Sequence, residues 1–167
     1  NMENTDDEIV VVEPVEEDIV INEFMASNDV TVADQDGEFD DWIEVYNKGN
    51  AAIDISGYQL TDDVNDLTLF TFPSGTTLNA DSYIIVWADN DSSQSGLHAY
   101  FKLSSGGETL TLVNANSTII DQVTYTSQTT DVSYGRFPNG TGNFQEMLPT
   151  YNGQNTDGTV GVDNDFL

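Results

Sequence analysis

An all-β sandwich of two sheets is the fold class this sequence predicts, and three observations predict it. Short runs of β-branched and aromatic residues recur from Ile19 onward, separated by clusters of Gly, Asn, Asp and Pro. No segment carries a helical-period apolar stripe over about ten positions, so helix content should be close to nil. The composition, 38 % apolar, is rich in Val, Ile, Tyr, Phe and Thr, which suit a pleated, half-buried surface. At 167 residues the chain fits one domain with one core.

About nine short strands are expected, in order over residues 19–24, 42–47, 53–61, 67–72, 83–88, 100–103, 109–113, 119–125 and 132–136. Each has alternating or β-branched character and ends at a turn signal. Asn47-Lys48-Gly49-Asn50, Ser104-Ser105-Gly106-Gly107 and Asn114-Ala115-Asn116-Ser117 lie between candidates and are read as hairpin turns, since Gly and Asn take positive φ at little cost. In Phe72-Pro73-Ser74-Gly75 and Phe137-Pro138-Asn139-Gly140 the proline presets φ for a tight turn, with an aromatic anchor on the core side. Residues 1–18 contain 8 acidic and no basic side chains and are read as a linker ahead of a domain spanning 19–152. Residues 153–167 follow as a tail or as a final strand through 159–162.

Charge narrows the function classes. Thirty Asp and Glu face three basic residues, Lys48, Lys102 and Arg136, for a formal net charge of -27. Without the first eighteen residues, 22 acids still face the same three bases, so the acidity belongs to the domain. Such a surface repels nucleic-acid phosphates and anionic lipid, and attracts cations and basic polypeptides. Cys is absent, which excludes disulfides, zinc-thiolate sites and thiol catalysis. There is no apolar run long enough to span a bilayer, so membrane insertion is not expected.

Five stretches carry a family resemblance in order: IVINEFMASN (19–28), DWIEVYNKGNAAIDISGYQLTDD (41–63), FTFPSGTTLNADSYIIVWAD (70–89), HAYFKLSSGGETLTLVN (98–114) and VSYGRFPNG (132–140). The Asn-Glu pair, the Trp-x-Glu-x-Tyr-Asn strand, the Gly-Tyr-x-Leu strand and the Gly-Gly-Glu-Thr-Leu turn occur together at the right separations. In these the chain resembles the lamin-tail domain, an immunoglobulin-like β-sandwich also found as a module in exported bacterial proteins. The resemblance implies an immunoglobulin-like two-sheet sandwich and a non-catalytic role, in a secreted or cell-surface protein. Filament and chromatin roles do not carry over, because no heptads precede the domain and its charge is opposite to that of a nucleic-acid binder.

The best candidate site is Asp34-Gln35-Asp36-Gly37-Glu38-Phe39-Asp40-Asp41, ahead of the Trp42 strand. Carboxylates recur every second residue around a glycine able to bend sharply. Asp34, Asp36, Glu38 and Asp41 are the predicted ligands, with Glu44 following. Hard oxygens at this density suit Ca2+. It is not an EF-hand loop, because Gly37 falls too early after Asp34. The plainer alternative is a solvated acidic loop. Asp62, Asp63 and Asp66 form a secondary cluster, as do Asp89 and Asp91, and loops at one end of a sandwich converge, so two clusters could share one ion.

Glu23 and Glu44 sit inside strands, where buried carboxylates need partners; Tyr46, Tyr58 or amides near Trp42 are the expected ones. A glycosidase-like acid/base pair is the enzymatic alternative, without cleft-forming insertions to support it. His98 is the only histidine, and no nucleophile motif accompanies it. Trp42 and Trp87 are expected to pack between the sheets, although with the tyrosines they could form a glycan platform. The function expected is a non-catalytic module for adhesion, assembly or substrate placement, with a protein or glycan partner. The alternative is an accessory domain of an exported nuclease or hydrolase whose catalytic part lies outside this chain.

Overall fold

The computed structural model describes residues 17–158, and eleven strands run through them. The larger sheet has the order β11 (Asn143–Met147), β10 (Ser133–Phe137), β1 (Ile19–Met25), β2 (Asp41–Asn47), β6 (Ser82–Ala88) and β7 (His98–Ala99), antiparallel throughout except for the parallel β6–β7 pair. The opposing layer contains β4 (Gln59–Thr61), β8 (Glu108–Val113) and β9 (Ile119–Tyr125), with the short pair β3 (Ile53–Asp54) and β5 (Thr77–Leu78). No helix occurs among the described residues. This is the all-β, immunoglobulin-like sandwich that the sequence predicts, with differences in detail.

Residues 53–61 are not one strand. Gly57, at φ +79°, breaks them into β3 and β4, which lie in different sheets. Among the described residues, 67–72 form no ladder beyond a single bridge from Thr71 to Gln59, although Leu60 N–H donates to Phe70 O at 3.2 Å and Phe72 N–H to Tyr58 O at 2.8 Å. The strand predicted at 100–103 lies earlier, as β7, and β11 was not expected. Of the three predicted hairpin turns only residues 114–117 make one, between β8 and β9. The other two carry the chain between sheets. At Gly107, φ +106°, a Cβ would stand 2.6 Å from Tyr125 O, so glycine is required there by space as well as conformation.

The main core lies between the layers. β2 contributes Ile43 and Val45, β6 contributes Val86 and Ala88, and the opposing layer contributes Leu60, Leu110, Leu112, Val123 and Tyr125. β1 contributes Ile19 and Ile21, then Phe24, with Ala26 just past its end, a switch from odd to even positions produced by a bulge between Ile21 and Glu23. Phe24 meets Tyr125 across the layers at 4.6 Å between ring centroids. The bulge frees backbone groups, and side chains satisfy them. Ile21 N–H donates to Asp121 Oδ2 at 2.8 Å and Ile21 O accepts from Arg136 Nε at 2.9 Å, while Arg136 and Asp121 pair at 2.7 Å. This joins β10 to β9 and so clamps one layer to the other.

A second, smaller core lies on the outer face of the larger sheet. Trp42 and Trp87, opposite one another on β2 and β6, pack with Met25 and are covered by Tyr151, whose ring lies edge-on to Trp42 at 5.3 Å. Both tryptophans are buried, but not between the sheets as the sequence suggests, and neither offers a face to a sugar. The covering segment ends in Asn155, which is 1 % exposed and donates through Nδ2 to Asn22 O and Arg136 O, both at 2.9 Å. At the other end Glu17 accepts from Tyr58 Oη at 2.8 Å and from Asn114 Nδ2 at 2.7 Å. Residues 17 and 155 therefore make contacts within the sandwich. The proposed strand at 159–162 and most of the proposed linker lie outside the described residues.

Candidate functional site

Antiparallel pairing of β2 with β6 puts the start of one beside the end of the other, Asp41 opposite Ala88. The loop entering β2 and the loop leaving β6 therefore meet at one end of the sheet. In the first, Asp34 N–H donates to Glu38 O at 2.8 Å and Gly37 turns the chain at φ +87°. Asp34 is buried, and its Oδ1 accepts from the amides of Asp36 at 2.8 Å and Glu38 at 2.9 Å. In the second, Asp89 Oδ1 accepts from Asp91 N–H at 2.9 Å, and Oδ2 lies 2.6 Å from His98 Nδ1. The loops are tied by Gln94 Nε2 donating to Glu38 Oε2 and by Gln35 Nε2 donating to Ser95 O.

One carboxylate oxygen from each of Asp34, Glu38 and Asp40 lies within 4.8 Å of the others, and Asp34, Asp89 and a His98 nitrogen form a second such group. Asp34 belongs to both. Burial pushes the Asp40 carboxyl up, with the charges of Asp89, Glu38 and Asp34 adding to it and Lys102 opposing. Both His98 nitrogens are engaged, since Nε2 lies 3.1 Å from Ser95 O and 2.6 Å from Gln35 Nε2.

Of the four predicted ligands, Asp34 and Glu38 stand in this cluster and Asp36 and Asp41 do not. Asp36 is exposed and contributes only its amide. Asp41 turns toward Leu103, accepting its N–H at 3.1 Å, and burial pushes its pKa up to about 7. Asp40 and Asp89 take their places. The β2–β6 register was the signal that could have brought Asp89 in. Of the secondary clusters' other acids, Asp63, Asp66 and Asp91 each accept from the residue two positions ahead and cap their own turns, while burial and then the charge of Glu108 push the Asp62 carboxyl up.

Glu23 and Glu44 are directly opposed across β1 and β2 and are fully buried beneath the covering segment. Glu23 accepts from Ser133 Oγ at 2.6 Å, Thr150 N–H at 2.9 Å and Thr150 Oγ1 at 2.7 Å. Glu44 Oε1 accepts from Asn22 Nδ2 at 2.8 Å, and Oε2 has no partner among the described residues, the amides of Asn152 and Gly153 approaching without reaching hydrogen-bond geometry. Burial pushes both carboxyls up, Glu44 to about 8. The partners expected from sequence are occupied elsewhere, Tyr46 on Asp81 and Tyr58 on Glu17.

Among known families, the one described as Lamin Tail Domain matches residues 13–127, more than half of the chain. The chain belongs to the lamin tail domain family. That family is an immunoglobulin-like domain, generally a non-catalytic module. A comparison with curated proteins returned no match. The matched span ends just after β9, yet the lamin-tail sandwich here continues through β10 and β11, which extend the larger sheet from β1.

Proposed function

We propose that this lamin-tail sandwich is a non-catalytic binding and assembly module of a larger exported protein, secreted or held at the cell surface. The observation that carries the proposal is that groups able to do acid–base chemistry are sealed inside the fold. Glu23, Glu44, Asp89 and His98 are all buried. Glu23 and Glu44 lie under residues 150–153, so no glycosidic bond can reach between them. Asp89 and His98 form two thirds of a Ser-His-Asp arrangement, but Nε2 faces the backbone oxygen of Ser95 instead of a hydroxyl. With a net charge of -27, the partner is a protein or glycan rather than nucleic acid or an anionic membrane.

Two measurements test this. The purified domain, given esterase, glycosidase, phosphatase and nuclease substrates with and without divalent cations, is expected to show no turnover above buffer. Turnover that falls in His98→Asn or Glu44→Gln overturns the non-catalytic part. An epitope-tagged full-length precursor should be recovered in the medium or in the protease-accessible surface fraction, and retention in the cytosol overturns the exported part.

A further inference from the structure

Three buried oxygens at the acidic end have no hydrogen-bond partner among the described residues: Asp34 Oδ2, Asp40 Oδ2 and Gln94 Oε1. Asp34 is the most telling, because the residue is only 9 % exposed and its other oxygen is held by two loop amides. Asp34 is also the one residue common to the Asp34–Glu38–Asp40 and Asp34–Asp89–His98 sets, and the charges of Asp34, Glu38 and Asp89 all bear on Asp40. A buried carboxylate oxygen left bare loses its hydration without compensation, and four like charges crowded together add to that loss. Hydrogen bonds from the protein do not resolve this. A bound cation does.

We infer that Asp34, Glu38, Asp40 and Asp89, with the side-chain oxygen of Gln94, form a Ca2+ site that joins the loop before β2 to the loop after β6. The donor set is all hard oxygen, and Ca2+ takes 6–8 oxygens in flexible geometry, so five protein groups plus water complete its shell. Ca2+ ligands stand about 2.4 Å from the ion, so two on opposite sides are about 4.8 Å apart. The Asp34–Glu38–Asp40 oxygens meet that limit, Asp34 and Asp89 meet it in the second set, and Gln94 is held at Glu38 by its amide nitrogen. His98 is not a ligand here. Its Nδ1 holds Asp89 and its Nε2 lies against Ser95 O and Gln35, which orients the carboxylate from outside the shell and leaves no imidazole for a softer metal. The proposal does not depend on the domain being exported or non-catalytic.

The test is calorimetric titration of the EDTA-treated domain with Ca2+, Mg2+ and Zn2+, paired with thermal melts in each. One Ca2+ site is expected, in the affinity range of extracellular modules, roughly 10^-4 to 10^-3 M, with a Tm several degrees higher in excess Ca2+. Asp34→Asn should weaken Ca2+ binding at least tenfold, and Glu38→Gln, at an exposed position whose amide oxygen can still accept from Gln94, should weaken it severalfold. Asp36→Asn and Asp91→Asn should bind as the parent does. No heat and no Tm shift at millimolar Ca2+ overturns the inference, as does binding of Zn2+ without Ca2+, or equal loss in the Asp36 and Glu38 variants.

Discussion

Glu44→Gln tests how the buried carboxylate pair is held. Glu44 is 0 % exposed, and burial pushes its carboxyl from the usual 4.5 to about 8, with Glu23 beside it adding to the effect. Tyr83 and Tyr151 are the other titratable groups that face it. The folded state therefore keeps a proton at neutral pH that the unfolded chain releases. The stabilising contribution is complete below pH 4.5 and is lost as pH rises through about 8. Between those limits each pH unit removes at most about 1.4 kcal/mol, so raising pH from 5 to 8 weakens the parent by something on the order of 4 kcal/mol from this group alone. Glutamine has the shape of the neutral acid and does not titrate. Urea unfolding at half-unit intervals from pH 5 to 8 should give the parent a steeper fall in stability than Glu44→Gln, by about 1 kcal/mol per pH unit. The slope is the readout, since the new NH2 meets the Asn152 and Gly153 amides and shifts absolute stability by its own amount. Parallel lines for the two proteins would falsify the claim that Glu44 is protonated in the fold.

Further consequences can be measured on the same preparation. Tyr151→Ala uncovers the outer-face core and should destabilise by about 2 kcal/mol. Because the chain has only two tryptophans and both lie under that ring, their emission should shift to the red in the still-folded variant. Arg136→Met removes the ties to Asp121 and Ile21 O and leaves a largely buried carboxylate unpaired, costing about 3 kcal/mol in chemical denaturation. Arg136→Lys should recover less than half of that, because a single ammonium cannot reach both partners and Gly142 O. Raising NaCl from about 20 mM to about 500 mM should raise Tm in metal-free buffer by screening self-repulsion, and a flat response would show that the acidic surface is already neutralised.

Much of the fold can be read from the chain, because its signals are local. Alternation in 42–47 and 83–88 marks two strands that become β2 and β6, Asn114 to Ser117 closes the β8–β9 hairpin, and the motifs of 19–63 and 98–114 carry the family. The acidity that repels nucleic acid needs only a count of side chains. Half of the acidic site is likewise visible, since Asp34 and Glu38 belong to one tight loop whose glycine and amides set its shape.

The tertiary structure alone decided which face each strand presents. Period-two alternation says that Trp42, Glu44 and Tyr46 share a side, but not whether that side meets the opposing layer. β1 is buried at every position and β2 at all but its first, because residues 150–155 lie over Asn22, Glu23 and Trp42 and Gly140 lies against Tyr46 on the far side, so burial cannot be inferred from polarity in these strands. The bulge at Asn22 then places two consecutive polar residues on that covered face. Asp89 joins Asp34 only through the β2–β6 register, which at this end sets Asp41 opposite Ala88, and Asp41 leaves the site because its side chain turns to Leu103. Local chemistry supplied strands, turns and charge; long-range pairing determined which carboxylates meet, because contact between distant residues is a property of register and not of spacing.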